Sequence, residues 1–201
     1  KEEIAVIGAS RTDAGVHAYG NVAVFDTNSP IPPEKFAYAL NAHLPWDIRV
    51  QSSKEVASDF HPRHCDSKKT YEYHILNRKI AIPSKRLYSY HFHWDLDIEA
   101  MQKGAEYLIG THDFKSFCSA RTIYELQIKR EGDEVILRIT GSGFLYNMVR
   151  IITGTLLQVG TGYYAPEEIK EMLEKKNRTA AGACAPAMGL FLIGIAYEKS
   201  T

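Results

Sequence analysis

The sequence has only three cysteines among its 201 residues. Cys65, Cys118 and Cys184 lie far apart and show no paired spacing. The pattern therefore favours neither a disulfide framework nor a cysteine-rich zinc site. We expect all three side chains to be reduced thiols.

Long apolar runs are missing as well. The least polar stretch, residues 144–159, is interrupted by Arg150 and by other polar residues, so no segment of this chain is expected to span a membrane. No basic-then-apolar leader follows Lys1, and secretion is not expected. With 45% hydrophobic and 24% charged residues, the composition predicts a soluble cytoplasmic enzyme with two modest lobes.

A net charge is also absent, since 24 Lys and Arg residues balance 24 Asp and Glu residues. Neutrality argues mildly against a nucleic-acid-binding protein, because such proteins are often basic. The charges are unevenly distributed, however. Arg63, His64, Lys68 and Lys69 lie close together, whereas many acids fall within residues 166–176. A local basic cleft is therefore compatible with overall neutrality.

The sequence does contain an unusual loop, residues 10–17, directly after the strand-like run at residues 4–7. Asp13 lies in this loop, and Gly15 permits a tight backbone path around it. A guanidinium such as that of Arg11 favours the ionised form of a nearby acid. We therefore consider Asp13 a candidate reactive carboxylate, with an ordinary turn or helix-capping residue as the alternative.

Arg150 is the only charged residue between positions 141 and 165. The apolar residues around it predict a largely buried helix. A guanidinium that leaves water without a partner is strongly unfavourable. Asp13 is the partner that we expect. The alternatives are that Arg150 extends its stem to solvent or pairs with a structural acid.

The first part of the chain predicts short, mixed elements. Strand-like runs occur at residues 4–7 and 21–25, and a helix is expected over residues 32–45, opened and ended by proline. The alternation at residues 48–51 indicates another strand. The polar, proline-containing residues 58–67 are the best candidate for a boundary between two lobes.

The second part predicts longer elements. Tyr71, Tyr73 and Ile75 alternate with polar residues, which places them on one face of a strand. A helix is expected from Ile98, with Asp97 as its cap.

Residues 124–128 and 135–139, joined through Gly132, predict a β-hairpin. The apolar run at residues 190–196 is typical of a strand that is covered on both faces. The sheet in this part of the chain is therefore expected to be largely antiparallel.

Several motifs, in one consistent order, resemble the TruA-type tRNA pseudouridine synthase family. They are residues 11–18, 60–63, 69–73, 110–114, 143–150 and 185–192. The likeness runs over almost the whole chain. Three features differ from the family. The strand-helix unit that usually precedes the Asp loop is missing ahead of Lys1, and the longer polar stretch that relatives usually carry is missing between Ala120 and Arg121. Ser10 stands where the family usually has glycine.

The resemblance implies a pseudouridine synthase fold. This is an α+β structure with two lobes around a largely antiparallel mixed sheet, flanking helices and an active-site cleft between the lobes. Residues 1–60 would form the N-terminal lobe, without its first strand-helix unit, and would carry the Asp loop. Residues 66–201 would form the C-terminal lobe, with the Tyr71 strand and the Arg150 helix.

The resemblance also implies a function: isomerisation of uridine to pseudouridine at positions 38–40 of the anticodon stem-loop of tRNA, by a homodimer that needs no cofactor or metal. Asp13 would attack covalently, at the base or at the sugar, or would remove a proton. Tyr71 would stack on the extruded base and contact the substrate. Arg150 would keep Asp13 ionised and oriented.

Three further residues would bind RNA in this interpretation. Arg11 would contact the RNA and help to displace the base, while Arg63 and Lys69 are weaker candidates for phosphate contacts.

Two other functions are compatible with the residues alone. A metal-dependent hydrolase would draw ligands from His17, His61, His64, Cys65, His91 and His93. The spacing is weak evidence for it, because neither an HExxH motif nor a paired CxxC motif is present. A non-catalytic RNA-binding protein is the third hypothesis, in which Asp13 would have no chemical role.

Overall fold

The computed structural model describes residues 2–113, 120–175 and 181–197. The chain divides into two compact units, which we describe separately. The first unit comprises Lys1–Ala9 and Val22–Cys65, and the second comprises Ser10–Asn21 and Asp66–Thr201.

The first unit contains little regular structure. Strands β1 (Ile7–Gly8) and β3 (Ala23–Val24) form a two-stranded antiparallel sheet. A short 3-10 turn, Pro33–Lys35, leads into helix α1 (Phe36–Asn41). The proline at the start of this turn has its φ angle already suited to a helix, as predicted. The strands are shorter than the runs at residues 4–7 and 21–25 that indicated them.

The prediction of a strand at residues 48–51 is wrong. The Asn41 side chain donates to the Val50 carbonyl at 2.8 Å and accepts from the Val50 N–H at 2.8 Å. Arg49 Nη1 donates to the Ile48 carbonyl at 2.7 Å. These side chains satisfy backbone groups that a strand would offer to a neighbouring strand, so the segment is tethered as a loop.

The second unit is built on a larger mixed sheet. Its strand order is β2 (His17–Ala18), β9 (Leu190–Tyr197), β4 (Ser67–Asn77), β8 (Glu134–Gly141), β7 (Ala120–Glu131) and β6 (Gly110–Asp113), with β5 (Tyr90–Phe92) paired to one end of β4. The pairings among β4, β6, β7, β8 and β9 are antiparallel, whereas β2 with β9 and β4 with β5 are parallel. The predicted α+β class and largely antiparallel mixed sheet are confirmed.

The predicted hairpin is present as β7 and β8. Gly132 lies in its turn with φ +61°, a left-handed conformation that glycine adopts without strain. Strand β9 covers the run predicted at residues 190–196, and Leu190, Phe191 and Leu192 at its start are buried.

Three helices of the second unit complete its core: α2 (Ile98–Glu106), α3 (Met148–Gly160) and α4 (Glu168–Lys175). Asp97 caps α2 as predicted, since its side chain accepts from the Ala100 N–H at 2.9 Å. In α3 every residue except Arg150 and Gln158 is buried, which confirms the predicted buried helix. Within the described residues, no helix has the length and apolar character required to cross a membrane.

The Asp loop is grouped with the second unit, whereas the sequence analysis assigned it to an N-terminal lobe of residues 1–60. The reason is a pairing between distant segments. Strand β2 runs parallel to β9, with His17 opposite Phe191, and the Tyr19 N–H donates to the Leu192 carbonyl at 2.8 Å. The division of the chain into lobes at residues 60–66 stays a prediction.

Candidate active site

Arg150 is the centre of a hydrogen-bonded cluster in the first turn of α3. Its Nε donates to the Ala185 carbonyl at 2.7 Å, and its Nη1 donates to Asn147 Oδ1 at 2.8 Å and to Asp13 Oδ2 at 3.3 Å. The Arg150 side chain is only 17% exposed. The predicted contact between Asp13 and Arg150 is confirmed, and the three acceptors offset the loss of water around the guanidinium.

A cation at this end of a helix needs such support. The N-terminus of α3 carries a partial positive charge, which disfavours a guanidinium in the first turn. The Asp13 carboxylate supplies the opposite charge. The Ala185 N–H also donates to the Arg150 carbonyl at 3.0 Å, so Ala185 holds both the backbone and the side chain of Arg150.

Asn147 is a member of the site that the sequence analysis missed. It precedes α3 with φ 58° and ψ 3°, and it is the only residue other than glycine with a positive φ in the part of the chain that the structure describes. Asparagine tolerates this left-handed conformation better than most residues. Its side chain does not cap the helix but accepts from Arg150, three residues later.

The Asp13 loop is a tight turn that leaves its carboxylate accessible. The Val16 N–H donates to the Asp13 carbonyl at 3.0 Å, and Gly15 has φ +82°. A positive φ at the third of four residues is typical of a type II turn. The Asp13 side chain is 33% exposed, and of its two carboxylate oxygens only Oδ2 is hydrogen-bonded to a described residue. One oxygen is therefore held while the other can reach a substrate.

Tyr71 lies on β4 beside this loop. The register between β4 and β9 shifts between Thr70 and Tyr71 because Ile193 is an extra residue on β9, whereas the pairing of β4 with β8 continues unbroken from Lys69 to Tyr71. Burial raises the pKa of Tyr71, and the negative charge of Asp13 raises it further, while a hydrogen bond with the Ser10 side chain opposes the increase. Asp13 is thus ion-paired with Arg150 and acts electrostatically on Tyr71, and all three residues belong to the second unit.

The Tyr71 ring is more buried than a stacking platform needs to be. It is only 7% exposed, and the Phe144 ring packs edge-on against it at a centroid distance of 5.3 Å. Nothing in the sequence indicated this contact between Phe144 and Tyr71.

The candidate RNA-binding residues have different surroundings. Arg11 is exposed and makes no hydrogen bond or ion pair with the residues that the structure describes. Arg150, and not Arg11, is therefore the guanidinium that contacts Asp13. Lys69 Nζ donates to Ser10 Oγ at 3.3 Å. Arg63 belongs to the first unit, where its Nε donates to the Gly8 carbonyl at 2.7 Å.

The histidines considered as metal ligands have other contacts. His17 Nε2 lies 2.7 Å from the Leu87 carbonyl oxygen, and the His17 ring stacks on Phe191. The rings of His61 and His64 stack on each other at 3.8 Å. Among the described residues, no group of three or more His, Cys, Asp and Glu side chains is arranged to hold a metal ion. Cys118 lies outside the described residues.

The chain is similar to known proteins over most of its length. A family model described as tRNA pseudouridine synthase matches residues 1–64 and 105–198. The tRNA pseudouridine synthase A of Thermoanaerobacter pseudethanolicus is 50% identical over 204 residues, which cover 98% of this chain and 84% of the relative. The Bacillus subtilis protein of the same name is 49% identical over 207 residues, with 99% and 84% covered. The tRNA pseudouridine synthase A 2 of Clostridium perfringens is 47% identical over 205 residues, with 98% and 84% covered.

This chain belongs to the tRNA pseudouridine synthase family. The predicted resemblance is confirmed. Asp13 and Arg150 lie inside the segments that the model of the tRNA pseudouridine synthase family matches. Tyr71 and Lys69 lie between those segments, in a region that the alignments with these members of the family span. The site therefore combines residues from matched segments with residues of the intervening strand.

Proposed function

We propose that this chain is an isomerase that converts uridine to pseudouridine in tRNA. The observation that supports the proposal is the partly exposed Asp13 carboxylate, which is paired with Arg150 and acts electrostatically on Tyr71, in a chain that is 50% identical to a tRNA pseudouridine synthase A over 98% of its length. The site offers a carboxylate, a cation and an aromatic ring in one place.

The reaction needs these groups and no redox agent. The glycosidic bond from the sugar C1′ to N1 of the base breaks, and a bond from C1′ to C5 forms. C5 loses a proton and N1 gains one, so atoms and electrons balance without a co-substrate. Asp13 serves as the nucleophile, at the sugar or at the base ring, or accepts the proton from C5. Its accessible oxygen is suited to either task.

Arg150 supports Asp13 in this mechanism. The ion pair favours the ionised carboxylate over the protonated acid, and only the ionised form can attack or accept a proton. The contacts of Arg150 with Asn147 and Ala185 fix the guanidinium before the substrate arrives. Preorganised charges of this kind need no rearrangement during the reaction.

Tyr71 receives the target base after it leaves the RNA stack. An aromatic ring replaces part of the stacking energy that extrusion costs. Because Tyr71 is 7% exposed and the Phe144 ring packs perpendicular to its ring, this role requires Phe144 to shift when RNA binds. Replacement of Phe144 by leucine is expected to change the KM for tRNA more than kcat.

Further parts of the proposal concern the RNA and the assembly. Arg11 is exposed and unpaired among the described residues, which suits a contact with phosphate or with the displaced strand. Arg63 and Lys69 are weaker candidates for phosphate contacts. We infer the target to be positions 38–40 of the anticodon stem-loop, the enzyme to be a homodimer, and its location to be the cytoplasm, where tRNA is available.

The direct test is incubation of the purified protein with an unmodified tRNA transcript, followed by mapping of pseudouridine by carbodiimide modification and primer extension. The expected product lies at positions 38–40. Transcripts that carry cytidine at one of these positions at a time identify the target, and Asp13→Asn is the inactive control. Tight tRNA binding without any pseudouridine would contradict the proposal and favour a non-catalytic RNA-binding protein.

A further inference from the structure

Residues 183–186 lie along the face of α3 that carries Arg150. The Ala185 N–H donates to the Arg150 carbonyl at 3.0 Å, and Arg150 Nε donates to the Ala185 carbonyl at 2.7 Å. One turn further along α3, an ideal Cβ on Gly154 would lie 1.7 Å from the Ala183 carbonyl oxygen. Residues four apart share a helix face, so Arg150 and Gly154 both face this segment. The segment therefore packs directly against the backbone of α3.

The same segment is bound from the sheet by Tyr73 on β4. The Tyr73 hydroxyl donates to the Pro186 carbonyl at 2.7 Å, and the side chain is fully buried. Burial raises the pKa of Tyr73, so the hydroxyl keeps its proton and remains a donor. The ring also lies against Gly189, where an ideal Cβ would come within 2.8 Å of two ring carbons. Close packing of this kind leaves the tyrosine little room to move.

Pro186 transmits this contact to Ala185. The peptide between the two residues is planar, so the direction of the Ala185 carbonyl relative to the Pro186 carbonyl depends on φ and ψ of Pro186. The proline ring fixes φ, which is −56° here, and leaves only ψ, at 150°, free to change. A hydrogen bond that holds the Pro186 carbonyl therefore also limits the direction of the Ala185 carbonyl. That carbonyl is the acceptor for Arg150 Nε.

We propose that Tyr73 is a positioning residue: its hydroxyl aligns the Ala185 carbonyl, which in turn sets the orientation of the Arg150 guanidinium. This inference rests on the proposed function. A guanidinium is planar, so the hydrogen bond at Nε also directs Nη1 toward Asp13 Oδ2. At 3.3 Å that last hydrogen bond is already long, and a small rotation of the guanidinium would break it. Tyr73 does not touch the reacting atoms, and its effect is on the placement of Arg150.

The first test is kinetic and uses Tyr73→Phe, which removes the hydroxyl and keeps the ring. With the Pro186 carbonyl released, kcat is expected to fall about three- to tenfold, while the KM for tRNA stays within about twofold. Tyr90→Phe is the matched control. Tyr90 lines the same small cavity as residues 183–186, but its hydroxyl is not hydrogen-bonded to any described residue, so kcat should not change. An unchanged kcat in Tyr73→Phe would overturn the proposal.

Two comparisons separate positioning from a general loss of stability. Ile128→Val removes a buried methyl group from the same core and leaves these hydrogen bonds intact, so stability should fall but kcat should not. In the Arg150→Met background no guanidinium remains to be oriented, so Tyr73→Phe should cause no further loss in single-turnover rate. The proposal is wrong if Ile128→Val lowers kcat as much as Tyr73→Phe does, or if Tyr73→Phe causes the same loss in both backgrounds.

The second test does not depend on activity. In ¹⁵N spectra of the arginine side chains, the Arg150 Nε–H resonance is identified by its disappearance in Arg150→Lys. Tyr73→Phe is expected to shift this resonance and to speed the exchange of its proton with water, while Tyr90→Phe and Ile128→Val leave it in place. An unmoved resonance in Tyr73→Phe would refute the positioning of Arg150. If the unaltered protein forms no pseudouridine, the proposed function fails, but this spectrum still decides the role of Tyr73.

Discussion

The two units of the chain use their apolar residues differently. In the second unit, Tyr73, Ile75 and Leu137 are fully buried in one continuous core formed by the sheet and helices α2 and α3. In the first unit, Trp46 is 84% exposed and Val6 is 65% exposed. The buried apolar side chains of that unit are small ones, Ala9, Ala37 and Pro62, as far as the described residues extend.

This difference explains where the candidate catalytic residues lie. A partly buried ion pair is stable only when its surroundings hold both charges and satisfy their hydrogen bonds. Asp13, Arg150 and Tyr71 all belong to the unit with the continuous core. In that unit, strand β2 holds the Asp loop to β9, and Arg150 lies in helix α3. The first unit offers no comparable core for such a pair in its described part.

The largest effect that we predict is that of Asp13→Asn. Asparagine has nearly the same size and can still accept a hydrogen bond from Arg150, but it cannot attack as an anion. Pseudouridine formation should fall on the order of 10⁴-fold or more. Binding of tRNA, measured by filter retention, and the melting temperature should change little. Substantial turnover by this variant would show that Asp13 is not the nucleophile or base.

The second prediction compares two arginines of the second unit. Arg150→Met removes the donor that the Asp13 carboxylate, the Ala185 carbonyl and Asn147 Oδ1 share, so it should lower stability by about 1–3 kcal/mol and kcat by about 10²–10³-fold. Arg11→Met removes an exposed side chain and should change stability by less than about 0.5 kcal/mol. Its main effect should be on the KM for tRNA. Urea unfolding and steady-state kinetics on both variants provide the comparison.

An Arg150→Met variant that folds and reacts normally would contradict the role of the ion pair. Equal losses of stability in the two variants would contradict the difference between an embedded and an exposed guanidinium.

The difference in apolar burial between the two units also explains how much of the structure could be predicted from the sequence. In the second unit the predictions of the hairpin, the capped helix α2 and the buried helix α3 were all correct. Residues that are buried in one core recur with the period of the strand or helix that carries them, so the sequence shows the pattern directly. The contact of Asp13 with Arg150 was correct for a related reason: a lone charge in an apolar helix must find a partner. In the first unit the prediction of a strand at residues 48–51 was wrong, because the side chains of Asn41 and Arg49 form hydrogen bonds with the backbone of this segment.

Other features of the site could not be read from sequence. The Ala185 carbonyl is a backbone group, and its position depends on the path of the chain before β9. The contact of Ser10 with Lys69 requires β2, β9 and β4 to be neighbours, which is a matter of topology. For Asn147 the sequence contains only a weak indication, which is that an asparagine stands at the start of an apolar helix. Such a residue is usually a side-chain cap, and here it is not.

The third prediction tests the difference in burial. Leu137→Ala leaves a cavity in the fully packed sheet of the second unit and should lower the free energy of unfolding by about 2–5 kcal/mol. Trp46→Ala removes a larger side chain, but one that is mostly exposed, and should cost less than about 0.5 kcal/mol. Urea denaturation monitored by circular dichroism measures both. A larger loss in Trp46→Ala would mean that the exposed surface of the first unit is covered in solution.

The smallest effects compare one side-chain-to-backbone hydrogen bond in each unit. Asp97→Ala removes the cap of α2, which packs into the continuous core, and should lower the free energy of global unfolding by about 1 kcal/mol. Asn41→Ala removes both hydrogen bonds that hold Val50 in the first unit. Because few buried contacts surround them, this loss should be local, with faster amide exchange at Val50 and little change in global stability. Hydrogen exchange followed by NMR distinguishes the two responses. If Asn41→Ala lowers global stability as much as Asp97→Ala does, the first unit unfolds together with the second, and its lack of an apolar core does not make it independent.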